Sequence, residues 1–106
     1  MNDRLKKRMS EIKSITLDDC AFNDSAAVEI TDKPRVVEYL RANELVAMCA
    51  GWMTDRRTGK QVAGWRPNFR TDGVYAWGES LAYYVDKYNL ELPPEFLAHI
   101  YKELQA

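Results

Sequence analysis

Residues 45–53 read Leu45-Val46-Ala47-Met48-Cys49-Ala50-Gly51-Trp52-Met53, and the fold turns on how this run is read. It is apolar on both alternations, which is the pattern of a strand buried on both faces of a sheet. Nine residues are far too few to cross a membrane. With turn chemistry on either side, the run reads as the central strand of the domain.

Downstream, Asp55 to Lys60 is a turn whose reversal falls at Thr58-Gly59. Ala63, Trp65 and Phe69 then alternate with Gly64, Arg66 and Arg70, predicting a half-buried second strand. Pro67 lacks a backbone donor, so that strand is bulged or lies on an edge there. Asp72-Gly73 signals a two-residue hairpin into a third strand, Val74 to Trp77. That register sets Arg70 opposite Tyr75 and Phe69 opposite Ala76.

Helices surround these strands. Thr31-Asp32 followed by Pro34 starts a helix, Val36, Val37 and Leu40 share its apolar face, and Asn43 stops it, giving residues 33–42. Leu81, Tyr84, Val85 and Tyr88 form the stripe of a second helix ended by Asn89. Pro93-Pro94 opens a third, with Phe96, Leu97, Ile100, Tyr101 and Leu104 on one face. Trp77, Leu81, Tyr84 and Phe96 are expected to share one core. At the N-terminus, Leu5, Met9 and Ile12 suggest a short helix over residues 3–13. Residues 14–31 show no clean period, with short extended pieces at Thr16-Leu17 and Val28-Glu29-Ile30. The expectation is an α+β fold: a small three-stranded antiparallel sheet packed with helices, two of them at the C-terminus. Residues 1–106 form one domain in this reading, with residues 1–30 an irregular N-terminal segment and 31–104 an α-βββ-αα core.

Composition narrows the function classes. Of the 106 residues, 46 % are hydrophobic, and 15 Lys and Arg against 16 Asp and Glu leave a formal charge of −1. A globally basic nucleic-acid binder and a disordered chain are both disfavoured. Two cysteines cannot make a disulfide scaffold, and no apolar run follows the basic N-terminus as a signal peptide requires. A cytoplasmic location, reduced Cys20 and Cys49, and an unused Asn23-Asp24-Ser25 sequon follow as expectations.

Charge is nonetheless segregated. Asp18, Asp19, Asp24, Glu29 and Asp32 concentrate in residues 14–33, whereas Arg56, Arg57, Lys60, Arg66 and Arg70 concentrate in residues 54–73. The basic stretch is interleaved with Trp65, Phe69, Tyr75 and Trp77, which raises base stacking as an alternative function for the 56–70 hairpin.

Other chemistry is sparse. His99 is the sole histidine and falls in the last helix, with no nucleophile or orienting group identifiable by spacing. Cys49 reads as core, and Cys20 sits beside Asp18 and Asp19, whose charges oppose a thiolate. The acidic residues lack the ligand spacing of a calcium loop, and Gly59-Lys60 lacks the earlier Gly and the following Ser or Thr of a phosphate loop. No catalytic residue, metal site or cofactor is expected.

Several blocks occur in fixed order: Pro34-Arg35-Val36-Val37-Glu38-Tyr39-Leu40, Phe69-Arg70-Thr71-Asp72-Gly73, Tyr75-Ala76-Trp77, and Leu81-Ala82-Tyr83-Tyr84-Val85-Asp86-Lys87-Tyr88. Leu92-Pro93, Phe96-Leu97 and His99-Ile100 complete the series. Over residues 34–100 the chain resembles small bacterial immunity proteins of contact-dependent growth inhibition and related polymorphic toxin systems. The resemblance implies a protein that performs no chemistry and neutralises a cognate toxin, often a nuclease, by occluding its active or substrate site. Nuclease clefts are basic, so acidic side chains on the inhibitor would complement them. Asp18, Asp19 and Asp24 are the expected contacts, with Glu79 and Asp86 on the C-terminal helices the next surface.

Overall fold

A computed structural model of the chain describes residues 11–22 and 30–105. The architecture is α+β. Strands β1 (Lys13–Ile15), β2 (Glu44–Ala47), β5 (Phe69–Thr71) and β6 (Tyr75–Gly78) form a mixed sheet in the order β1-β6-β5-β2, and β3 (Met53–Thr54) pairs with β4 (Gln61–Val62) as a separate ribbon. Helices α1 (Lys33–Ala42), α2 (Ser80–Tyr88) and α3 (Pro94–Gln105) pack on the sheet and on one another.

The helix boundaries follow from local chemistry. The amides of Arg35 and Val36 turn back to the Asp32 carbonyl, and Pro34 stands in the first turn, where its missing N–H costs nothing. Asn43 ends α1 by donating its side-chain amide to the Tyr39 carbonyl at 2.9 Å. At the end of α2, Asn89 takes the left-handed conformation (φ 54°) and Leu90 N–H reaches the Tyr84 carbonyl at 3.3 Å. Such a cap satisfies carbonyls that the helix leaves unpaired.

The sheet differs from the expected meander in three respects. It has four strands, because Lys13–Ile15 adds in parallel beside β6, with Ile15 opposite Trp77. A local pattern cannot announce a parallel partner some sixty residues away. That strand also takes the end of the segment read as helix 3–13, whose first residues lie outside those described, while Leu17 starts a 3-10 turn instead of an extended piece.

The β5–β6 hairpin is the second difference. Phe69 lies opposite Gly78, Arg70 opposite Trp77 and Thr71 opposite Ala76, so residues 72–74 connect the strands instead of Asp72-Gly73 alone. The cause is the Asp72 carboxylate, which accepts the amides of Val74 and Tyr75 at 2.9 and 2.8 Å and closes a wider turn.

The third difference concerns residues 45–53. Of this run only residues 45–47, within β2, join the main sheet, and Met53 begins the separate β3; β2 lies at the sheet's edge, and its pairing with β5 is bulged between Leu45 and Ala47. Cys49, read as core, is half-buried in the loop that follows. The second predicted strand is also interrupted, since residues 63–68 carry no strand and Phe69 is exposed.

The core lies instead between the sheet and the helices. Trp77 is 1 % exposed, packs against Phe96 (ring centroids 5.3 Å apart) and Tyr39 (5.9 Å), and donates its indole N–H to the Leu40 carbonyl at 2.7 Å. Leu81, Tyr84 and Phe96 belong to the same buried cluster, as the stripes predict. Opposite residues on paired strands share a face, so Arg70 is on the core side with Trp77. It is accommodated because Nε donates to Glu79 Oε1 at 2.6 Å and a terminal nitrogen donates to the Asn43 carbonyl at 2.7 Å. A charge so placed is tolerable only when paired and hydrogen-bonded.

Candidate functional site

Two kinds of feature stand out: a pair of buried aspartates and an exposed apolar face. The aspartates use one device twice. Asp55 is fully buried; its Oδ1 accepts the amides of Arg57 and Thr58, and its Oδ2 accepts the hydroxyls of Tyr83 (2.6 Å) and Tyr88 (2.7 Å). Asp72, 1 % exposed, accepts two amides on Oδ1, and on Oδ2 it accepts the Tyr39 hydroxyl and meets His99 Nε2 at 2.8 Å. Each side chain thus closes a turn and ties it to a helix.

Electrostatics match that role. Burial opposes ionisation of Asp55, but the Tyr83 and Tyr88 hydroxyls and two amides outweigh it and hold the carboxyl at about 2. The same balance lowers Asp72, where burial is overcome by Tyr39, the Tyr75 and Val74 amides and His99. Burial and the adjacent Asp55 push the Tyr83 phenol up to about 12, so it remains a donor.

The Asp72–His99 pair has the form of a carboxylate orienting an imidazole. Among the described residues, no Ser, Thr or Cys side chain hydrogen-bonds to His99; its other close carboxylate is Glu103 at 3.7 Å. The Cys20 thiol, raised to about 12 by burial and by Asp19, is not a thiolate at neutral pH. Also among the described residues, no three His, Cys, Asp or Glu side chains gather as metal ligands, and no helix is long and apolar enough to cross a membrane.

The exposed face is built from the run that was read as core. Leu45 is 43 % exposed, Val46 44 %, Met48 77 % and Trp52 40 %, and Phe69 on the neighbouring strand is 51 % exposed. Backbone pairing sets the loop after β2 beside residues 65–69, whereas Leu45, opposite Arg70, lies across the sheet from Phe69. Ala47 lies opposite Phe69, the Cys49 amide donates to Asn68 Oδ1 at 3.0 Å, and the Met53 amide donates to the Trp65 carbonyl at 2.7 Å. The guanidinium of Arg66 lies 4.5 Å over the Trp52 ring. Beside Phe69 a cavity of about 200 Å³ opens, lined by Leu17, Pro67, Gly78 and Leu81 among others.

The acidic residues expected to bind a partner are not gathered into one site. Asp18 is exposed and pairs with Arg56 at 3.0 Å. Asp19 accepts the Thr16 amide and hydroxyl, which lower its carboxyl and engage it in its own 3-10 turn. Asp24 lies outside the described residues. Glu79 is 4 % exposed and committed to Arg70, so it presents no surface; a register that puts Arg70 opposite Trp77 accounts for this. Asp86 is exposed on α2.

The basic hairpin is also largely engaged. Arg56 meets Asp18, Arg57 lies 4.7 Å over Phe22 and 4.9 Å over Tyr88, and Arg70 is internal. Sequence reasoning missed the apolar face because an apolar run is ordinarily evidence of burial. The available signal was Met48 and Trp52, two large side chains in a run broken by Gly51, which takes φ 83°. Comparison of the chain with protein-family models, curated proteins and solved structures finds no match.

Proposed function

We propose that this chain is a cytoplasmic immunity protein, which binds a cognate protein toxin, such as a nuclease, and neutralises it by covering its active or substrate site. It performs no chemistry itself. The observation that carries this reading is the exposed face at Val46, Met48, Trp52 and Phe69, on a domain whose core closes without it. Large contiguous apolar patches on small domains mark interaction sites, and Trp paired with Arg is a frequent composition of binding hot spots. The sequence resemblance over residues 34–100 supports the kind of partner. Base stacking is less favoured, because Arg56, Arg57 and Arg70 already have internal partners.

The test is co-expression with the product of the adjacent gene, which this reading expects to carry a toxin domain. The expected result is a complex that survives purification, together with protection of growth. No complex and no protection would refute the reading. So would sub-micromolar binding of duplex DNA or RNA at physiological salt that is lost when Arg56, Arg57 and Arg66 become Ala, because phosphate neutralisation would then be the function.

A further inference from the structure

Resting on that toxin-binding reading, we infer that the Val46–Met48–Trp52–Phe69 face docks an acidic protein surface bearing a protruding apolar side chain. For a nuclease, this contact falls beside the basic substrate cleft, and occlusion is steric.

Charge is the first argument. Arg66, stacked on Trp52, and Arg41, 4.1 Å over the neighbouring Trp65, have no carboxylate partner among the described residues. Their cationic neighbours Arg56 and Arg70 do have one. Two unneutralised guanidiniums beside an apolar centre complement carboxylates at the rim of a partner.

Shape is the second argument. The cavity beside Phe69 has a volume of about 200 Å³ and a mainly apolar lining, with Leu17, Pro67 and Leu81 beside the polar Thr16, Asn68 and Ser80, so it accepts one aliphatic or aromatic residue. A second copy of this chain fits poorly, because an isologous contact through this face brings each copy's Arg41 and Arg66 towards the other's. Single-stranded RNA finds stacking surface here only on Trp52 and Phe69, since Val46 and Met48 are not aromatic, and the oligouridine probe below tests it as the competing occupant.

The experiment measures binding of three fluorescent probes to the full chain at low salt. One is a short peptide of leucines flanked by aspartates, the second is the same peptide flanked by lysines, and the third is an oligouridine of similar length. The acidic peptide is expected to bind at least about tenfold tighter than either other probe. Arg66→Glu should abolish that preference, and Met48→Lys should weaken peptide binding with an unchanged denaturation midpoint. Equal affinity for the two peptides, no peptide binding, tighter binding of oligouridine, or a dimer dispersed by Met48→Lys would each overturn the inference. Toxin neutralisation unaffected by Arg66→Glu and Met48→Lys would remove this docking face and leave the immunity reading standing. Acidic-peptide binding without neutralisation would do the reverse.

Discussion

Two apolar runs in this chain have opposite fates. Leu81-Ala82-Tyr83-Tyr84-Val85 is buried at every position, on a helix wedged between the sheet and its neighbours. Leu45 to Met53 is more uniformly apolar, yet Leu45, Val46, Met48 and Trp52 are all exposed. The shorter run is buried because its helix meets α1 on one side and the tyrosine-bound Asp55 turn on another. The longer run belongs to an edge strand and a loop, and only at its end does Met53 reach the core, where it is 3 % exposed. Hydrophobicity thus states what a side chain would gain by burial, and topology decides whether this chain or a partner provides it.

The sharpest way to break the comparison is to attack the closed side. Trp77→Ala removes the side chain that joins β6 to α1 and α3, and truncating a buried Trp costs about 3–5 kcal/mol. Against a total stability of roughly 5–15 kcal/mol, this should unfold or severely weaken the domain in urea denaturation. An unchanged midpoint would mean that the core is not where Trp77 places it.

Acid should loosen the same side. The Asp55 carboxyl is depressed to about 2 in the folded state, so its contribution is fully present above the unfolded value, near 4. The contribution is lost as pH falls through the folded value. Asp72 is shifted in the same direction and adds to the loss. Midpoints measured from pH 5 down to pH 2 should therefore decline, and Asp55→Asn should flatten the decline while lowering stability at neutral pH. A decline of equal slope in that variant would assign the acid sensitivity elsewhere.

The smallest effect should come from the open side. Met48→Lys replaces a side chain that is 77 % exposed, and substitutions at such positions usually change stability by under about 0.5 kcal/mol. A loss comparable to that of Trp77→Ala would erase the distinction between the two runs.

The closed side was the legible one. The 33–42 helix was readable from Asp32, Pro34 and Asn43, and the two C-terminal helices from their stripes and from Asn89 and Pro94, because caps and 3.6-residue periods are local signals. Trp77 was readable as core from its place between a hairpin and an apolar helix. What stayed hidden depended on distant partners: the parallel strand at Lys13–Ile15, the hairpin register reset by the Asp72 carboxylate, and the edge position of β2. The candidate site suffered most from this. Glu79 looks like surface acid until Arg70 is known to sit opposite Trp77, and Met48 looks like core until β2 is known to be an edge.

Hydrogen exchange of the domain, measured alone and with the protein it is found to neutralise, tests the central claim most directly. The account predicts that binding slows exchange of amides in residues 45–53 and 65–69, while amides in 81–85 exchange slowly in both states and change little. Binding that protects the segments around Asp18 or Asp86 and leaves residues 45–53 unaltered would contradict it.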